Sequence, residues 1–143
     1  MSKKRIQKIA INTGGGDAPG LNAVIRAATL AGIERGCEVW GIKHGYRGLL
    51  SKDPRNLIRL DRASVRGIAH LGGTILGTAN RGDPFHYPTR RAPDEEPLPA
   101  DRADDLIARF EELGFDALIA AGGDGSMRIA YQLVQRGFPL IVG

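Results

Sequence analysis

Residues Phe115–Ser126, FDALIAAGGDGS, drive a short apolar run straight into a glycine turn. Ala117, Leu118, Ile119, Ala120 and Ala121 suffice for a central strand of a parallel sheet, where both faces are covered and the run is apolar throughout. Gly122, Gly123, Asp124 and Gly125 then remove the side chains that would hold a ligand off the backbone, and Ser126 is expected to open the next helix. Exposed N–H groups and the positive end of a helix dipole favour an anion at such a place. Asp124 adds a hard oxygen of the kind Mg²⁺ takes beside phosphate. The plain alternative is a tight strand-to-helix crossing with an aspartate near its cap, which many α/β domains carry.

A second turn of the same kind stands near the N-terminus, in INTGGGDAPGLNAVIRAA. Ile6, Ile9 and Ile11 mark a strand over Lys8 to Asn12. Gly14, Gly15 and Gly16 make the turn, and Asp17 follows. Pro19 fixes φ at a helix start. Leu21, Val24, Ile25, Ala28 and Ala31 form a 3.6-residue stripe, which predicts a helix from Leu21 to Arg35. Two strand–glycine–aspartate–helix units place both turns at the carboxyl ends of strands, where open α/β sheets bind ligands.

Outward from these turns, strands and helices alternate. CEVWGIK at Cys37 to Lys43 reads as a strand, with Cys37 a small core residue. HGYRGLL follows as a loop anchored by Leu49 and Leu50; its Tyr46 is either a solvent residue or an aromatic surface facing a nucleotide. Leu57 to Leu60 is a short strand, and Asp61 is placed to cap a helix over Ala63 to Leu71. Thr74 to Leu76 is a short extended piece, followed by the polar glycine loop 77–82. Residues 83–100 hold five of the eight prolines and read as a surface excursion with little structure. Asp101 caps a helix whose stripe is Leu106, Ile107, Phe110 and Leu113, closed by Gly114. Met127, Ala130, Leu133 and Val134 mark the last helix, stopped by Gly137 before an apolar strand over Phe138 to Val142. The expected fold is α/β: one doubly wound, mostly parallel, Rossmann-like sheet with helices on both faces, spanning 1–143 as a single phosphoryl-donor binding domain and incomplete at its C-terminal end.

The 143 residues carry a net charge of +4, with 42% hydrophobic and 25% charged residues, an ordinary balance for a globular chain. No apolar run approaches the ~20 residues of a membrane span, and no signal-peptide pattern follows MSKKRIQK. One cysteine excludes an internal disulfide and fits a reducing cytoplasm. Aromatics are 6% and the arginines are scattered, so nucleic acid is not an expected partner; the positive excess suits anionic small substrates.

TGGGDAPGLNAVIR, GYRGL, GGTILGTANRG and AAGGDGS, in that order, resemble the amino-terminal part of a phosphofructokinase. The resemblance implies transfer of a phosphoryl group from Mg-ATP, or from pyrophosphate, to the 1-hydroxyl of fructose 6-phosphate in glycolysis, with Mg²⁺ as the metal and a homotetramer as the assembly. It implies that Gly16 gives its N–H to the transferring phosphoryl group and that Tyr46 sits by the nucleotide. Arg81, or Asn80 in the other register, would bridge the phosphates. Gly123, Gly125 and Ser126 would line them, and Asp124 would hold Mg²⁺, often through water. Gly125 leaves room for the ATP α-phosphate where pyrophosphate users often carry an aspartate. Arg26 and Arg62 match basic effector positions, whereas Leu30 stands where a further arginine is usual. The family's catalytic aspartate lies in a Thr-Ile-Asp-Asn-Asp stretch expected downstream of Gly143, so no catalytic base is assigned within these residues and the chain alone is expected to be inactive. An NAD or diacylglycerol kinase would explain only the surroundings of Asp124, not GGGDAPGLNAVIR. A nucleotide-binding module without chemistry is the non-enzymatic alternative.

Overall fold

The computed structural model describes residues 5–14, 19–79 and 82–143. In chain order the elements are β1 (Lys8–Thr13), α1 (Leu21–Glu34), β2 (Glu38–Ile42), the one-turn α2 (Arg47–Leu50), β3 (Leu57–Leu60), β4 (Tyr87–Thr89), β5 (Leu98–Ala100), α3 (Ala103–Glu112), β6 (Ala117–Ala121), α4 (Asp124–Arg136) and β7 (Ile141–Val142). Five strands form one sheet in the order β3-β2-β1-β6-β7. β1 runs parallel to β2 and β6, β7 runs parallel to β6, and β3 closes one edge antiparallel. The doubly wound, mostly parallel sheet expected from the sequence is borne out. β1 and β6 are neighbours, and Thr13 faces Ala121 in register, so both glycine turns leave the same end of adjacent strands. Asp116 helps set that register: its Oδ2 accepts from the Gln7 and Lys8 N–H groups at 2.9 and 3.0 Å.

Side chains alternate across a strand, and β1 divides two cores accordingly. Ile11 packs with Ile25 of α1, Val39 and Leu60 on one face. Ala10 packs with Leu106, Phe110, Leu118 and Leu133 on the other, beneath α2, α3 and α4. Phe110 anchors this second core, its ring 5.3 Å from that of Phe115 and 4.4 Å from that of Phe138. Each fully buried side chain of this size contributes about 1.5–3 kcal/mol by leaving water. Gly137, at φ +112°, ends α4 in the left-handed region where glycine carries no Cβ penalty.

Several local expectations need correction. Residues 62–67 form turns, not a helix. Asp61 and Ser64 bond each other's backbone N–H at 2.7 and 2.8 Å, and Gly67 sits at φ +73°, so the local bonding closes a turn instead of propagating. Thr74 to Leu76 is likewise a turn, and only Ile141 and Val142 of the last apolar run join the sheet. Cys37 precedes β2 and is half-buried, its Sγ donating to the Ile6 carbonyl at 3.5 Å. The helix after the second glycine turn opens at Asp124, two residues before Ser126.

The proline-rich segment is also more ordered than its composition suggests. Asp83 caps a 3₁₀ turn over Pro84–His86, and β4 pairs antiparallel with β5. The Arg102 N–H donates to the Pro84 carbonyl at 2.6 Å, and the Arg102 guanidinium lies over the Tyr87 ring. Arg136 at the end of α4 stacks on Phe85 and reaches Asp101 at 2.9 Å. The Ala103 N–H and then Arg136 hold the Asp101 carboxyl below its ordinary value. These contacts seat the hairpin against α3 and α4.

Candidate functional site

A cleft of about 350 Å³ opens at the carboxyl ends of β1 and β6. Its floor is strand: Asn12, Thr13 and Gly14 from β1, Ala120 and Ala121 from β6. One wall is the start of α4, with Gly125, Ser126 and Arg128. The other is Gly45 and Tyr46, joined by Ala79, Gly82 and Asp83. The N-terminal end of α4 brings N–H groups that have no partner within the helix, and its positive dipole end, to this side of the sheet.

Gly14, just after β1, is locked to the second glycine turn. Gly14 donates its N–H to the Ala121 carbonyl at 2.8 Å. A Cβ on Gly14 would collide with the Ser126 Oγ, and one on Gly122 would meet the Gly14 carbonyl oxygen at 2.7 Å and the Ser126 Oγ at 2.6 Å. Gly123 and Gly125 differ: a Cβ on either meets nothing within 4 Å. Packing therefore dictates glycine at 122, where backbone and a Cβ are met, asks only a turn of the Ser126 hydroxyl and a slight shift at 14, and leaves 123 and 125 open toward solvent and the cleft.

Three further polar contacts place the far wall. The Thr13 Oγ1 pairs with the Thr74 Oγ1 and donates to the Gly77 carbonyl, both at 2.9 Å. Asn22, buried at the start of α1, accepts from the Ile75 N–H at 2.7 Å and donates to the Leu71 and Gly72 carbonyls. His44 donates its N–H to the Leu76 carbonyl at 2.8 Å. The asparagine of LNAVIR thus acts through the GGTILGT loop, whose next residues border the cleft.

Of the residues singled out from the sequence, Gly125, Ser126 and Tyr46 line the cleft. Gly123 and Asp124 are exposed beside it at the start of α4. Gly16, Asn80 and Arg81 lie outside the described residues. Gly143, downstream of which the resemblance puts the catalytic base, is exposed after β7, beside Met127 of α4, and is not one of the lining residues. Tyr46 is no solvent residue: it is 6% exposed and belongs to the core beside Leu49 and Leu50. Burial pushes its phenol up to about 12, with the Asn12 side chain pulling it down less strongly. Arg26 is exposed on α1, and Arg62 lines a separate shallow groove near Cys37 that Arg26 does not border. Sequence reasoning missed Asn12, Asp83, Arg128 and Gln132 as lining residues. One signal was available for each of two: Asn12 interrupts an apolar strand, and Arg128 falls one helical turn after Asp124.

Among the described residues no cluster of three metal-binding side chains occurs, and no helix is long and apolar enough to cross a membrane. Asp124 is a single exposed carboxylate at the start of α4, and one such oxygen ligand suits Mg²⁺, which keeps several waters and is bound by one or two carboxylates.

The family model described as Phosphofructokinase matches residues 8–142. The chain is 43% identical over 143 residues to "ATP-dependent 6-phosphofructokinase 1" of a Nostoc species, covering 100% of this chain and 38% of that relative. It is 45% identical over 139 residues to "ATP-dependent 6-phosphofructokinase 2" of Clostridium perfringens, covering 95% of this chain and 36% of the relative. The chain therefore spans less than two fifths of the length of these relatives. Among solved structures, Pichia pastoris phosphofructokinase in the T-state superposes with a TM-score of 0.77 at 31% identity, covering 97% of this chain and 14% of that one. A pyrophosphate-dependent phosphofructokinase from Marinobacter aquaeolei gives 0.66 at 17% identity over 94% of this chain and 32% of that one, a likeness of fold alone.

Proposed function

The chain belongs to the phosphofructokinase family, and on that premise we propose that its cleft is the phosphoryl-donor site of an ATP-dependent 6-phosphofructokinase. The observation that carries this reading is the interlock of Gly14, at the end of β1, with the glycine turn after the adjacent parallel β6, with the N-terminus of α4 opening beside them. Phosphoryl transfer is mostly positioning and charge neutralisation. Backbone N–H groups at Gly123, Gly125 and Ser126 would receive the donor phosphates, with Gly16 and Asn80 or Arg81 completing the cradle. Asp124 would hold Mg²⁺, largely through water, and the metal would neutralise charge developing on the phosphates. The acceptor would be fructose 6-phosphate. Its activating aspartate would come from the family's Thr-Ile-Asp-Asn-Asp stretch, downstream of Gly143, so donor binding without rapid turnover is expected of these 143 residues. The working enzyme would be a cytoplasmic homo-oligomer.

Pyrophosphate is the second donor to consider. The open space at Gly125 favours ATP, because nothing in the fold requires glycine there. The named relatives at 43% and 45% identity support the same choice.

Asp124→Asn tests the assignment by calorimetric titration. Affinity for Mg-ATP is expected to fall about tenfold, the scale at which ligands acting through a metal's water shell contribute, while affinity for metal-free ATP holds. An unchanged Mg-ATP affinity would remove Asp124 from the metal site. Mg-pyrophosphate binding tighter than Mg-ATP would favour the second donor.

A further inference from the structure

One helix reaches both walls of the cleft. The first turn of α4 forms the near wall, where Gly125 and Ser126 stand. Its last residue, Arg136, lies about 15 Å further along the axis and holds the segment that forms the other wall. The Arg136 guanidinium lies 5.4 Å from the centre of the Phe85 ring and reaches Asp101 at 2.9 Å and Asp104 at 3.4 Å. Phe85 belongs to the 3₁₀ turn that Asp83 caps, the Asp83 Oδ1 accepting from the Phe85 N–H at 2.9 Å. Gly82 and Asp83 line the cleft, and so does Gln132, one helical turn before Arg136.

This wall is pinned on both sides. Upstream, the Gly77 carbonyl accepts from the Oγ1 of Thr13, which is buried in the cleft floor. Downstream, Pro84 is buried and its carbonyl accepts from the Arg102 N–H at 2.6 Å. Between the pins, Ala79 and Gly82 come so close that a Cβ on Gly82 would stand 3.0 Å from that of Ala79. The upstream pin is tied to the sheet. The downstream one rests on the Arg136 contacts, whose side chains are 38% exposed at Arg136 and 47% at Asp101. Ion pairs this exposed add little to global stability, so what they hold in place matters more than what they add to the fold.

We propose that Arg136 is a positioning residue for donor binding: by clamping Phe85 and Asp101 it fixes Gly82 and Asp83, the far wall of the cleft, against the N-terminus of α4. This rests on the donor-site reading above. Arg136 is not one of the lining residues and acts through Phe85 and Asp83. A guanidinium suits the task, because one rigid plane both stacks on a ring and forks toward carboxylates. With the clamp released, the wall samples other positions, and apparent donor affinity falls by the fraction of molecules that keep it in place.

The test titrates Mg-ATP into wild type, Arg136→Gln, Phe85→Leu and the double variant at 25 °C, each beside a thermal melt. Arg136→Gln is expected to weaken Mg-ATP about fivefold, the scale of an exposed ion pair together with a ring stack. Phe85→Leu keeps the apolar volume and should show a similar loss. The double variant should lose no more than the larger single loss, because the two side chains share one contact. Arg136→Lys keeps the charge toward Asp101 and gives up the planar stack, so it should recover part of the affinity and lose about twofold. Wild-type affinity in Arg136→Gln with a lowered unfolding temperature, or losses that add in the double variant, would make the clamp structural and overturn the proposal. Should Arg136→Gln fail to fold, Arg136→Lys decides by whether its affinity falls. Wild type that binds no Mg-ATP would defeat the donor-site reading itself, and the proposal with it.

Discussion

Gly125→Asp is expected to weaken Mg-ATP binding about 100-fold in a protein that folds at least as firmly as the original. The added side chain meets no atom within 4 Å, so the fold accepts it. It stands in the first turn of α4, where aspartate outranks glycine in helix propensity and a negative charge complements the helix dipole. Those effects together stabilise by about 0.5–1 kcal/mol. The same carboxylate projects from the wall of the cleft. Against a phosphate about 4 Å away it repels by about 1 kcal/mol in water and about 4 kcal/mol at the reduced dielectric of a protein surface; the middle of that range is ~100-fold in affinity. Pyrophosphate has no α-phosphate to displace and should lose less. Titration calorimetry beside a denaturant melt checks both halves. Mg-ATP affinity surviving the change would show that the donor phosphates do not pass Gly125.

Gly122→Ala carries the largest expected cost to the fold. The new methyl would lie 2.7 Å from the Gly14 carbonyl oxygen and 2.6 Å from the Ser126 Oγ. The Ser126 Oγ can rotate away, but its Cβ, 2.7 Å from the methyl, and the Gly14 carbonyl are fixed by the backbone and cannot. The two turns must part, and the 2.8 Å bond from Gly14 to Ala121 lengthens or breaks. Overpacking and the lost bond together cost about 2–3 kcal/mol. Donor affinity should fall as well, because the turns no longer face each other. Gly123→Ala is the control for stability: its methyl meets nothing within 4 Å and its backbone is extended. A denaturant midpoint for Gly122→Ala equal to that of Gly123→Ala would mean that the interlocked turns are not a structural unit.

The sheet was legible because its signals are local. A continuous apolar run ending in glycine predicted β6, the 3.6-residue stripe after Pro19 predicted α1, and the recurrence of the turn predicted that two strands share one functional edge. What stayed hidden depends on distant contacts. The prolines at 84, 88, 93, 97 and 99 suggested an excursion, yet Pro88 and Pro99 sit opposite each other in the β4–β5 pair, which Arg102 and Arg136 hold down from other elements. Asp61 and Ser64 had the spacing of a helix cap, but their reciprocal bonds close a turn that Gly67 then redirects. Tyr46 shows the limit most clearly: HGYRGLL alone does not tell a solvent loop from a buried wall, and burial decided it. Asn12 was overlooked as an ordinary strand residue, although a polar side chain in an otherwise apolar strand was there to be read; that it lines the cleft depends on contacts the sequence does not show.

The most direct measurement is a crystal structure of this chain with Mg²⁺ and a non-hydrolysable ATP analogue. Phosphate density is expected against the N–H groups of Gly123–Ser126 and the first glycine turn, metal density within one water of Asp124, and the nucleoside within the cleft between β1 and β6. An analogue bound elsewhere, with the cleft between β1 and β6 holding only water, would contradict the donor-site reading.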